Sequence, residues 1–162
     1  MAVNSHMKIA EADGESVHVG NEKEIEVLAW SWGLSQPGTA HVAKGAGTGK
    51  VNIQDLSFTK YVDSASPKLI GFCCSGAHLA TAILTISKAA GTEAMVYQKI
   101  TLTDVIVSSV STGGSGGGED RLTENVTLNF GKFEYEYTPQ KADQTAGTPI
   151  PTGWMIPENK KV

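Results

Sequence analysis

The sequence predicts a mainly β fold: a β-barrel of two antiparallel sheets with one short flanking α-helix. Three observations carry that expectation. Thirty-eight of the 162 residues are Val, Ile or Thr, whose branched side chains suit a pleated surface better than a helix. Alternation with a period of two dominates, and a single segment breaks it into a helical period. The 18 glycines cluster between strand patterns instead of recurring at a fixed interval, which excludes a collagen-like chain. The length fits one domain spanning 1–162, long enough to bury about 70% of the surface of the unfolded chain.

The first strand pattern runs from Glu24 to Trp32, with Ile25 and Val27 opposite Glu24 and Glu26. Leu28, Trp30 and Trp32 then share the face that carried the glutamates, which predicts a strand passing from solvent into a covered region. Residues 33–50 hold five glycines and are too long for a hairpin turn; a connection of this length is usually functional or disordered. Val51 to Lys60 reads as the next strand. Ser66 precedes Pro67, a cap followed by proline at the first helical position, and Leu69, Ile70, Cys73, Cys74 and Ala77 form an apolar stripe. The helix therefore covers roughly Pro67 to Gly76, within residues 65–77, and Gly76 stops it. Thr81 to Ser87, Ala94 to Thr103, Val105 to Val110 and Asn125 to Tyr137 are further strands. In the last, Val126, Leu128 and Phe130 are out of phase with Phe133, Tyr135 and Tyr137, which predicts a bulge or bend across Gly131-Lys132. Residues 139–162 are loop-rich, with Trp154, Met155 and Ile156 docking as a short edge strand.

Charge and composition exclude several classes. The formal charge is −4 and Arg121 is the single arginine, so the electrostatic footprint of nucleic-acid binding is missing. No apolar run approaches the length of a membrane-spanning helix, so no membrane insertion is expected. The first nine residues lack a basic region followed by an apolar one, so no Sec signal peptide is expected and the chain folds in the cytosol. Cys73 and Cys74 are neighbours, a separation at which a disulfide is strained and closes almost no loop; two small residues on a packed helix explain them better than a redox pair or soft-metal site.

Motifs of catalysis fail one by one. Gly113-Gly114-Ser115-Gly116-Gly117 satisfies G-x-S-x-G, but the nucleophile elbow needs a helix next and a later histidine, and the last histidine is His78. Lys44 to Val51 resembles a phosphate loop with Lys44 where glycine belongs and Val51 where the magnesium-binding hydroxyl belongs. His6, His18, His41 and His78 show no helical pairing, so no metal site is expected and each reads as solvated or singly bonded. Glu134 and Glu136 share a strand face, a solvated stripe rather than an acid/base pair. Neither an enzyme nor a bound cofactor is expected.

Longer runs carry a resemblance. Trp30-Ser31-Trp32-Gly33-Leu34-Ser35-Gln36, Asp55 to Tyr61 leading into Ser66-Pro67, Val107 to Ser111, Glu124 to Phe130 and Tyr137-Thr138-Pro139-Gln140 closely resemble the haemolysin-coregulated protein (Hcp) family, from about Lys8 to Gly153-Trp154. The resemblance implies a barrel like that of phage tail-tube proteins, six subunits in a ring, and rings stacked into the hollow tube of the type VI secretion system. It further implies a contractile sheath that drives the tube, a trimeric spike protein at its tip, and small effector proteins carried in the lumen. The chain would be cytoplasmic before firing and secreted afterwards without a cleaved signal peptide. A ring that serves mainly as an effector-binding chaperone is the alternative, and a small secreted hydrolase the reading that the motif tests disfavour.

Within that frame the 33–50 loop is the expected ring-stacking contact, through Gln36, Pro37, Thr39, His41 and Val42. The glycine-rich loop from Ser111 to Asp120 reads either as a pore-facing segment, with Ser115 against cargo, or as an ordinary flexible loop.

Overall fold

A computed structural model describes residues 3–38, 41, 49–90, 93–118 and 121–162. The chain forms β1 (Val3–Ile9), β2 (Ile25–Ser31), β3 (Leu34–Ser35), β4 (Asn52–Ile53), β5 (Leu56–Tyr61), α1 (Ser66–Ser75), β6 (Leu79–Ala90), β7 (Glu93–Thr112), β8 (Thr123–Tyr137), β9 (Ile150–Met155) and β10 (Lys160–Lys161). Eight strands make one antiparallel sheet in the order β10-β9-β8-β5-β2-β1-β6-β7, and pairing of β7 with β8 closes six of them into a barrel. β3 and β4 form a second, two-stranded sheet at the root of the 33–50 loop. The mainly β class, the barrel and the single flanking helix agree with the sequence.

Alternation decides which side of each strand is covered. Leu56, Phe58 and Lys60 of β5 face Leu128, Val126 and Glu124 of β8 across the register, and all six point inward. Met7, Leu84 and Ile100 make an equivalent row across β1, β6 and β7, each fully buried. A fully buried side chain of this size contributes about 1.5–3 kcal/mol, so these rows hold the barrel together.

Three expectations need correction. First, β2 does not carry one face from solvent into cover. Its register with β5 shifts between Val27 and Ala29, so Leu28 bulges out and Trp30 pairs with Phe58 on the core side. Second, the phase of β8 does flip at Gly131, but no bulge lies there between β7 and β8: Thr103↔Lys132 and Val105↔Phe130 are in one register. Asp104, opposite Gly131, adopts φ 55, so both strands kink together and the two expected strands 94–103 and 105–110 are one. The register shift falls instead between Val107 and Ser109. Third, 51–60 is split at Gln54-Asp55 into β4 and β5. β1 is a strand the sequence reading omitted.

The helix begins one residue earlier than expected, and its cap is not the serine. Ala65 is the N-cap, with no side-chain cap, while Pro67 sits in the first turn and Gly76 ends the helix at φ 66. Only Leu69 of the expected stripe is fully buried; Phe72 and Cys73 pack beside it, whereas Ile70 and Cys74 face solvent. Both cysteines are free.

Ser66 is absorbed by a buried polar cluster. The Lys60 ammonium, wholly buried, donates to Glu124 Oε1 at 2.5 Å and to Ser66 Oγ at 2.9 Å, and lies 2.9 Å from Asp63 Oδ1. Ser66 Oγ in turn donates to Glu124 and accepts from the Asp63 amide. Removing one partner of such a cluster strands the others without water. Lys60→Met is therefore expected to cost about 3–5 kcal/mol in denaturant unfolding, and Lys60→Met with Glu124→Leu to recover most of that loss.

Candidate functional site

With the core rows turned inward, the intervening residues of the same strands form an outer wall. Ser31, Ser57, Thr127 and Ser109 lie in one register row across β2, β5, β8 and β7; Ala29, Thr59, Asn125 and Ser111 lie in the next. Every one is exposed or half-buried, none is charged, and none is larger than asparagine. Thr59 Oγ1 donates to Asn125 Oδ1 at 2.5 Å, so part of the wall's hydrogen-bonding capacity is satisfied within the sheet. Ser108 beside it donates to Asp55 Oδ2 at 2.8 Å and Asn129 Nδ2 donates to Asp55 Oδ1 at 2.8 Å, which turns that carboxylate's acceptors toward protein rather than solvent. At the far end the wall passes to Tyr61, whose ring lies 3.8 Å beneath the Arg121 guanidinium. Composition hides this surface, because its serines and threonines are spread over four strands; only the register assembles them.

The loop after β7 borders this wall. Residues Gly113 to Gly118 are exposed, and Ser115 stands among them with no helix following it among the described residues. The nucleophile elbow is thereby excluded on geometry. Glu119 and Asp120, the end of that expected pore segment, lie outside the described residues.

The 33–50 loop leaves the barrel through β3 and returns through β4. Its root is fixed by Trp32, whose indole N–H donates to the Gln54 carbonyl at 2.9 Å and whose ring packs edge-on against Phe133 at 4.8 Å. Gly49 is required where the loop returns, since a Cβ there would meet Pro37 Cγ at 2.5 Å. Of the expected stacking residues, Gln36, Pro37 and His41 are exposed, while Thr39 and Val42 lie outside the described residues, as does the phosphate-loop-like 44–48. Between this root and β9 is a cleft of about 350 Å3 lined by Leu34, Val51, Ile53, Phe133 and Trp154. Trp154 and Met155 dock in β9 as expected, but β9 lies between β8 and β10 rather than at the sheet edge, and Ile156 falls just beyond it.

The remaining polar candidates separate. Glu134 and Glu136 face Thr101 and Lys99 in an outward stripe, with Lys132 Nζ 3.8 Å from Glu134, and make no carboxylate pair. His78 Nδ1 lies 2.7 Å from Asp104 Oδ1 in a solvated pair. His6 and His18, read from spacing as isolated, are in contact, with ring centroids 5.2 Å apart. Among the described residues no group of three or more His, Cys, Asp or Glu side chains is arranged to hold a metal ion, and no helix is long and apolar enough to cross a membrane.

Comparison with known proteins agrees with the barrel. The family described as "Type VI secretion system effector, Hcp" matches residues 6–137. Protein hcp1 of Pseudomonas aeruginosa is 56% identical over 160 residues, covering 98% of each chain. The crystal structure of Hcp1 from Salmonella typhimurium, 39% identical, superposes with a TM-score of 0.83 over 100% of both chains. A structure described as a type six secretion system protein, 34% identical, superposes at 0.90 over 99% of this chain and 100% of its own.

The loop root offers a direct test. Trp32→Ala removes a half-buried ring and the bond to Gln54, and is expected to lower stability by about 2 kcal/mol while raising amide exchange in β3 and β4 more than in β6. Hydrogen exchange read by mass spectrometry checks both.

Proposed function

The chain belongs to the Hcp family of the type VI secretion system, and on that premise we propose that it is the repeating subunit of a hollow secretion tube. Six copies close a ring, rings stack, and small effector proteins travel in the lumen. The tube forms in the cytoplasm inside a contractile sheath, meets a trimeric spike protein at its tip, and leaves the cell when the sheath contracts. The role in this reading is mechanical rather than enzymatic.

The observation that carries this reading is the uncharged wall of small hydroxyl and amide side chains across β2, β5, β8 and β7. A channel that holds a folded cargo and later releases it must offer many weak contacts and no strong anchor. Rows of Ser, Thr, Ala and Asn meet that need, because each polar contact with cargo replaces one with water at a small net gain. Turned toward the ring axis, the wall would line the lumen with the Ser115 loop at its rim. The 33–50 loop, held away from the wall by the Trp32 root, would then reach the next ring through Gln36, Pro37, Thr39, His41 and Val42.

A carrier role uses the same wall, and two variants separate it from assembly. Ser57→Glu places one carboxylate per subunit in the proposed lumen; Ser115→Trp crowds its rim. Each is expected to reduce co-purifying effector roughly tenfold while the ring mass by light scattering stays unchanged. Unaltered retention in both would refute the lumen assignment. Deletion of residues 38–48 is expected to leave rings intact and abolish stacks in negative-stain micrographs; long tubes from that variant would refute the stacking role.

A further inference from the structure

His6 occupies an outward position of the sheet yet is 3% exposed. Its register neighbours are Glu26 on β2 and Thr85 on β6, so on an open barrel it would face solvent. What covers it is the connection between β1 and β2. Ala12, Gly14 and Ser16 alternate inward along that connection and are buried, and His18 continues the series onto the His6 ring. Val17 and Val19 project the other way, 90% and 86% exposed. The segment is held by backbone bonds from Gly14 N to Lys23 O, from Lys23 N to Ser16 O and from Ser16 N to Glu24 O. Gly14 fits so closely that a Cβ there would meet the Glu24 carbonyl at 2.5 Å.

The Nδ1 atoms of both rings are buried without a hydrogen-bond partner. We propose that the His6–His18 contact is an acid-sensitive latch: with both rings neutral it seals the 12–24 loop over β1, and with His6 protonated it releases that loop. A neutral imidazole tolerates a buried, unpartnered Nδ1 lone pair at modest cost. An imidazolium there carries a charge and a second N–H that nothing accepts, against a second ring 5.2 Å away.

The charged surroundings do not rescue the cation. Glu24 and Glu26 attract it, but Glu24 is engaged by the Asn21 amide at 2.8 Å and Glu26 is exposed. Glu22 lies near His18 and accepts the Gly20 amide at 3.1 Å. Arg121 and Tyr61 border the same cleft as His6, with the guanidinium stacked on the Tyr61 ring. β6 presents uncharged Thr85. Burial first, and His18 second, therefore hold His6 below the ordinary histidine value of 6.5, with the two glutamates pulling the other way. Below that ordinary value the released loop binds a proton that the sealed one refuses. Release is favoured as pH falls, until the pH passes the depressed value of the sealed state.

The test is amide exchange of the full-length chain at about pH 7.5 and about pH 5, expressed as protection factors and read at Ser16, Lys23 and Glu24 against β6, with light-scattering mass taken on the same samples. Because the sealed state refuses the proton, protection in the loop is expected to fall several-fold on acidification, with β6 unchanged. His18→Phe keeps a ring over His6 without a second charge and is expected to shrink the loss; His6→Leu is expected to abolish it. Equal loss in all three proteins, or none in the natural chain, overturns the latch. An NMR titration of the natural chain decides independently of the variants: His6 titrating below 6.5 supports the latch, and at or above 6.5 excludes it.

Discussion

Lys60 is the residue around which the barrel end is organised. It is a lysine in a strand whose inward neighbours are Leu56 and Phe58, and it has no exposure at all. An ammonium in that position costs several kcal/mol of lost hydration and persists because three oxygens surround it. Those oxygens come from β8, from the turn before α1 and from the first residue of α1. Satisfying one charge therefore ties two strands and the helix into a single geometry. Lys60 and Glu124 are also register partners, so a slip of β5 against β8 by one residue would separate the pair and leave both charges buried alone. A hydrophobic pair at the same place would tolerate the slip better, so the cluster specifies register beyond what it adds to stability.

The same cluster explains why the helix was readable but its cap was not. Ser66-Pro67 and Gly76 mark the ends of α1 within one residue, since proline and glycine act through local backbone geometry. Ser66, in contrast, had two uses available. Local logic assigns its hydroxyl to the amides of the first helical turn; tertiary structure supplies a stronger partner in a buried ammonium and carboxylate. The helix stripe was over-read for a related reason. A short helix resting on β7 by Leu69, Phe72 and Cys73 leaves Ile70 and Cys74 outside the contact, and apolar spacing alone does not tell how wide the contact is.

Strand phase follows a parallel rule. Gly131 is visible in the sequence because the apolar residues of β8 change parity across it. Its partner Asp104 carries no such signal, for Leu102 and Val105 already read as neighbouring strands. Only pairing shows that the two positions kink together, and that the Leu28 bulge turns Trp30 toward Phe58. The hydroxyl wall was legible residue by residue, as the polar half of each alternation, and illegible as a surface. Four strands distant in sequence had to be placed side by side before Ser31, Ser57, Thr127 and Ser109 became one row.

Closure of the barrel is uneven, and that places the energetic weak point. β7 and β8 pair from Gln98↔Tyr137 to Thr112↔Glu124, whereas β1 and β2 meet only at His6↔Glu26 and Met7↔Ile25. On one side of this short seam the strands diverge around a cleft of about 470 Å3 between Val3 and Leu28; on the other, the 12–24 loop lies over the sheet. Little backbone pairing supports that corner, so its stability leans on side-chain contacts. A buried charge has many backbone bonds set against it in the β7–β8 ladder, but few at a seam of two register pairs. The buried imidazole sits on that seam, as one half of its first register pair.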